Sequence, residues 1–104
     1  MSDDELAAFR RSIDKVDAEL VRLLAERFRI THDIGVYKAA NDLPPVDLPR
    51  QHEQVDGLRR LALAEGLDPD FCERFVHFVM DEVIRNHKRI AETGSELTIE
   101  QETL

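Results

Sequence analysis

The chain has 104 residues, the size of one domain, and carries a net charge of −8 with a pI near 4.9. That balance argues against nucleic acid and anionic membrane as partners, and it means that an anionic ligand needs a locally basic pocket. One cysteine, Cys72, excludes an intrachain disulfide and suits a reducing, cytoplasmic compartment. The acidic start MSDDELAAFR holds no signal-like apolar run, and no stretch reaches the ~18 apolar residues of a membrane span.

Leu6, Phe9, Ile13, Val16, Leu20, Leu23, Arg27, Ile30, Ile34 and Tyr37 alternate at spacings of three and four, which predicts a long amphipathic helix from about Asp3 to Ala40. Ser2 or Asp3 can cap it, and Asp3, Asp4 and Glu5 suit the positive end of its dipole. Gly35 is the only glycine inside and permits close packing there. Nine members of the seam are apolar or aromatic, and the tenth is the guanidinium of Arg27. A charge in an apolar seam is costly unless it is compensated. Arg27 therefore meets a carboxylate of the protein, awaits an anionic ligand, or snorkels out of the seam.

A helix of about 37 residues is roughly 55 Å long, whereas a compact chain of this size has a radius of gyration near 13 Å. The helix is expected to overhang a monomeric core, and a second copy related by a two-fold axis is the simplest cover for its seam. The competing possibility is a helix broken near Gly35 or Arg27 and folded back.

The segment Asn41-Asp42-Leu43-Pro44-Pro45 stops the helix and forms a loop. A second helix is expected from near Asp47, with Pro49 in its first turn, to about Glu65; Val55, Leu58, Leu61 and Ala62 form its apolar side and Gly66 ends it. Asp68-Pro69 is a cap and first-turn pair for a third helix running to about Thr93. Its stripe is Phe71, Cys72, Phe75, Val76, Val79, Met80, Val83, His87 and Ile90, where Cys72 reads as a small core residue. With no alternating strand pattern and no repeat, the fold class is all-α. The expected organisation is three helices over residues 1–93 and a flexible acidic tail over 94–104.

Several polar residues are placed where they can act together. Arg10 and Arg27 lie roughly 25 Å apart along one helix, too far to grip one small molecule from the same chain. Two copies of the helix crossing antiparallel near residues 18–19 would bring Arg10 of one beside Arg27 of the other. Lys38 follows three turns after Arg27; Asp47, Arg50 and Gln51 follow the loop; His87 interrupts the third stripe between Val83 and Ile90. Each also has a plainer role. Arg10 can be solvated beside Arg11, Lys38 can face the helix dipole, and Asp47 can be only a cap. Arg50 can pair with Glu53, and His87 can sit at a core boundary. Among the four scattered histidines, His77 has helical ligand spacing with Asp81, and such a pair is too little for a metal site.

The chain resembles the all-helical class of chorismate mutases over about residues 5–92, with no gap. The segment FRRSIDKVDAELVRLLAERF resembles that family's L-R-x-x-I-D-x-I/L-D-x-x-I/L-I/L-x-L-I/L-x-x-R, and it sets Arg10, Arg27 and Lys38 in the family register. IGVYKA, the loop Pro44–Asp47 leading to Arg50, and GLDPDFCERFVHFVMDEVIRNHKRI continue the match. The resemblance implies an intertwined homodimer of three-helix chains that converts chorismate to prephenate, toward phenylalanine and tyrosine, with no cofactor and no metal. It implies that Arg27 and the other chain's Arg10 hold the substrate's two carboxylates, and that Lys38 reaches the ether oxygen and a carboxylate. Asp47 and Gln51 would bracket the ring hydroxyl, Arg50 would lie beside the carboxylate site, and His87 would stand at the ether oxygen. Three positions depart from the family: Gln51 stands for Glu, His87 for Gln or Glu, and Val83 where some members have a small polar residue.

A (3,3)-sigmatropic step needs no nucleophile and no proton transfer. It needs the dianion held in a chair-like conformer, with donors fixed where charge builds on the ether oxygen. An isochorismate–pyruvate lyase on the same fold would share the basic cage. Asp47 and the polar residue after Arg50 suit the hydroxyl side of the mutase better. A non-catalytic helical module that binds another protein's helix is a reading from a different class, and some small members of the family act with an enzyme partner from the aromatic pathway. Imidazole is the side chain that ordinarily titrates near neutrality. The rate of chorismate turnover is thus expected to vary between pH 5 and 8 through His87, and a pH–rate profile that stays flat in the unaltered chain, or full activity in His87→Ala, would contradict that role.

Overall fold

Ser2 accepts the backbone N–H of Glu5 on its hydroxyl at 3.2 Å, which starts α1 (Asp3–Ala40) with a side-chain cap. The computed structural model describes residues 2–93 with their side chains and assigns helix as far as Thr103. Two further helices follow, α2 (Leu48–Ala64) and α3 (Pro69–Thr103), and no strand occurs among the described residues. The chain is all-α, as the apolar spacing requires. α3 passes the end expected near Thr93, and the flexible tail expected over 94–104 lies outside the residues described with their side chains. No helix is long and apolar enough to cross a membrane, among the described residues.

Each helix end has an identifiable cause. At the end of α1, Leu43 donates its N–H to the carbonyl of Lys38 at 2.9 Å and Asp42 lies in the left-handed region with φ 53°. This is a Schellman closure with Asp at the position that usually takes glycine. α2 begins at the N-cap Asp47, whose carboxylate accepts the N–H of Arg50 at 3.1 Å, with Pro49 in the first turn. It ends in a second Schellman closure, in which Gly66 has φ 74° and Leu67 donates to Ala62 at 2.8 Å. Asp68 then accepts the N–H of Asp70 at 2.9 Å and starts α3 behind Pro69.

The chain divides into two units, Met1–Thr31 and His32–Leu104. In the first, the apolar seam of α1 is open to water within a single chain: Phe9, Ile13, Val16 and Leu23 are 58–63% exposed. In the second, Val55 of α2 packs with Val76 and Met80 of α3, and Leu58 and Cys72 close over them. Cys72 is thus the small core-edge residue that its neighbours suggested. Leu61, expected on the buried side of α2, is instead 54% exposed while Ala62 is buried. Phe71 and Phe75, expected in the buried stripe of α3, are also exposed within one chain. The Arg59 guanidinium ties α2 to the start of α3, donating to Asp70 and to Glu73 at 2.9 Å each. Those carboxylates, Asp70 foremost, raise its pKa above the ordinary arginine value.

A β-branched residue in the left-handed region is strained, whereas Asn tolerates it nearly as well as Asp. Asp42→Val is expected to lower stability by about 1–2 kcal/mol and Asp42→Asn to change it little. A urea titration reads this as a lower midpoint with an unchanged slope for the valine variant alone.

Candidate active site

Arg10 and Arg27 both lie in the first unit, on α1. Arg10 is exposed and Arg27 half-buried, and neither makes a hydrogen bond or ion pair with another described residue. Of the outcomes open to Arg27, pairing with a carboxylate is therefore not realised among the described residues. Its neighbours in the seam are Leu23 and Ile30, so the guanidinium stands in apolar company with its donors unspent.

The remaining site residues lie in the second unit, and two of them, Lys38 and Asp47, line one cleft. A cleft of about 430 Å³ is lined by Lys38, Leu43, Pro44, Val46, Asp47, Leu48 and Pro49. Lys38 and Asp47, a cation and an anion nine residues apart in sequence, thus share one concavity. The loop supplies its apolar wall. The Schellman closure at Asp42 turns the chain back, and the Lys38 ammonium makes a long contact, 3.5 Å, with the Pro45 carbonyl. The sequence offered no sign of that contact beyond the loop's shortness. Lys38 is half-buried and points into the loop side, so its charge is not spent only on the helix dipole.

Asp47 does cap α2, so the plainer reading of this residue is realised, and it lines the cleft as well. Arg50 pairs with Glu53 at 2.7 Å on an exposed face, as its plainer reading has it. Such a pair contributes at most modestly in water and releases its arginine at little cost. Gln51 and Val83 are half-buried. His77 approaches Glu73 at 3.5 Å, and no group of three or more His, Cys, Asp or Glu side chains could hold a metal ion, among the described residues.

His87 is the residue whose setting differs most from a boundary position. It is 5% exposed, and its ring lies against the backbone of α1 at Gly35. A Cβ at position 35 would stand 2.7 Å from Cδ2 and 3.2 Å from Nε2 of the ring. Lys38 follows Gly35 by three residues, on the same helix face. Val83 precedes His87 by four and shares its face of α3. The second unit thus brings Lys38 and Asp47 to one cleft and docks His87 one turn of helix away.

The chain is thus all-helical, with Lys38 in an apolar-walled cleft and His87 buried against the same helix. The sequence pattern of the type II chorismate mutases matches residues 9–88, and the chain belongs to that family. Among its relatives, the T-protein of Enterobacter agglomerans is 36% identical over 78 residues, which cover 75% of this chain and 21% of that protein. The monofunctional chorismate mutase of the same organism is 35% identical over 74 residues, 70% of this chain and 41% of the relative. The bifunctional chorismate mutase/prephenate dehydratase of Escherichia coli K12 is 28% identical over 83 residues, 80% and 22% respectively. The chain therefore spans less than half the length of each of these relatives.

The two roles of Asp47 separate by substitution. Asn caps a helix about as well as Asp, whereas Ala forfeits about 1 kcal/mol. Asp47→Asn is expected to keep the urea midpoint while Asp47→Ala lowers it. Both should weaken binding of a hydroxylated cyclic dicarboxylate by the same factor, read by titration calorimetry, if the carboxylate itself serves the cleft.

Proposed function

We propose that the chain is a chorismate mutase that works as a homodimer, with two equivalent sites each completed by Arg10 of the second chain. The observation that carries this reading is Arg27, a half-buried guanidinium on an apolar seam whose donors meet no other described residue. The open seam of residues 3–31 supports the dimer, because leaving so many large apolar side chains in water forgoes roughly 1.5–3 kcal/mol for each one that could be buried. The family register supports the remaining assignments.

Arg27 and the second chain's Arg10 each take one carboxylate, bidentate where geometry allows, which selects the compact conformer of the dianion. Lys38 donates to the ether oxygen and to a neighbouring carboxylate. His87 donates to the same oxygen in place of the amide or carboxyl group usual in the family. Charge grows on that oxygen as its bond to the ring breaks, so these donors favour the transition state over bound substrate. Asp47 and Gln51 address the ring hydroxyl; Gln51 keeps hydrogen-bonding capacity with one charge fewer than Glu. Arg50, once parted from Glu53, adds positive potential on the carboxylate side, and Val83 offers that side an apolar wall. No bond to the protein forms at any stage.

Incubation of the chain with chorismate, and separately with isochorismate, is expected to yield prephenate from the first. Salicylate and pyruvate from isochorismate alone would move the assignment to the lyase, and no turnover of either would favour a helical interaction module. Arg27→Ala is expected to lower kcat/KM by roughly 10²–10³, the scale of losing one charged donor at a developing anion. Arg10→Ala should do the same. Mixing the two inactive variants under subunit exchange tests the dimer directly. A mixed dimer places both lesions in one site and leaves the other intact, so activity should return to about one quarter of the unaltered value by random assortment. No recovery would place Arg10 and Arg27 in the same chain's site, and an Arg10→Ala variant that keeps its activity would place Arg10 in none.

A further inference from the structure

Gly35 sits in the middle of a helical stretch where alanine would be the better helix former. Its backbone gives no reason for glycine, since the positive-φ glycine among the described residues is Gly66. The reason is space. Gly35 is buried, and a methyl group there would fall 2.7 Å from Cδ2 of His87, 3.2 Å from its Nε2 and 3.0 Å from Cδ1 of Ile90. These neighbours differ in kind. Cδ1 of Ile90 is the tip of a flexible chain and can turn aside. The imidazole is a rigid plane with two torsions and must move as a body, away from α1, by roughly 1 Å to reach an ordinary carbon–carbon distance.

The ring edge turned to α1 is the one that carries Nε2. Gly35 therefore sets how near to α1 that nitrogen rests, and Lys38 leaves the same face of α1 one turn later. We propose that Gly35 is a positioning residue for the rearrangement: its missing side chain seats His87 against α1 and so sets the spacing between the imidazole and Nζ of Lys38, the two groups that the mutase reading assigns to the ether oxygen. The inference rests on the mutase reading given above. Its physical content is that an ångström of misplacement at a donor costs far more in the transition state than in ground-state binding.

Four chains test it with chorismate as substrate: the unaltered protein, Gly35→Ala, His87→Gln, and the double variant. Circular dichroism and the urea midpoint establish folding for each. Gly35→Ala in the unaltered background is expected to lower kcat roughly 10- to 100-fold with a smaller change in KM. In the His87→Gln background, where a flexible side chain can yield to the new methyl group, the same substitution should leave kcat within about twofold. Equal losses in the two backgrounds, or no loss of kcat in the first, would overturn the proposal, because a helix that merely dislikes the substitution would respond alike whatever stands at 87. If Gly35→Ala alone does not fold, the two His87→Gln chains decide: equal kcat supports the positioning role and unequal kcat refutes it. Absence of turnover in the unaltered protein sinks the mutase reading and this inference with it. Turnover with additive losses leaves the mutase standing and removes the role of Gly35.

Discussion

Contact between a flat ring and bare backbone, His87 on Gly35, is the constraint from which the second unit is built. It requires that α1 be free of a side chain at one position and that α3 present a planar group at another. The cleft lies a short way along α1 from this contact. Lys38 lies one turn beyond the contact, the reversal at Asp42 begins four residues after that, and the loop then delivers Asp47 as the cap of α2. The hydrophobic cluster of Val55, Val76 and Met80 holds α2 and α3 together, but it could do so with α1 in several settings. Close packing at Gly35 narrows these settings, since cores tolerate neither a gap nor an extra methyl group without cost.

The electrostatic arrangement runs against the composition. The chain is strongly acidic, yet on α1 the seam cation Arg27 and Arg10 meet no carboxylate among the described residues, while Arg59 and Arg50 have carboxylates at hand. Two kinds of arginine can thus be told apart by what they touch. Those that clasp α2, α3 or a neighbouring turn already have their charge answered. Arg27, on the seam, has no such partner among the described residues.

Much of this was legible in the sequence, and the limits have physical causes. The three- and four-residue spacing of apolar positions fixes the three helices, and the Asp-Pro and Asn-Asp-Leu-Pro-Pro segments place the end of α1 and the start of α3 to within a residue or two, whereas α3 runs to Thr103, past the expected Thr93. Arg27 stood out because a charge breaks an otherwise apolar seam. Asp47 showed as a cap because capping is local chemistry. The depth of His87 was not legible, since a histidine flanked by Val83 and Ile90 reads equally as boundary or core; only the space over Gly35 tells which. The long contact of Lys38 with the Pro45 carbonyl was likewise hidden, because it depends on where the loop folds back and not on any residue type. Leu61, Phe71 and Phe75 misled for a related reason: apolar spacing identifies a face that wants burial, and a single chain need not supply the cover.

The two connections between helices use the same Schellman geometry but differ in what hangs on them. Between α1 and α2 the chain must carry Lys38, the cleft wall and Asp47 in fixed succession. Between α2 and α3 the turn at Gly66 and Leu67 bears no candidate site residue, and the bonds of Arg59 to Asp70 and Glu73 fasten the two helices across it. Sequence length is thus rationed unevenly: added residues at the first connection would uncouple the cleft's cation from its anion, whereas the second can accept a reporter peptide or a graft as a surface tether. The Gly66 turn is accordingly the handle by which this protein can be attached to a support or fused to a neighbour with the cleft beside Lys38 and Asp47 left as it is.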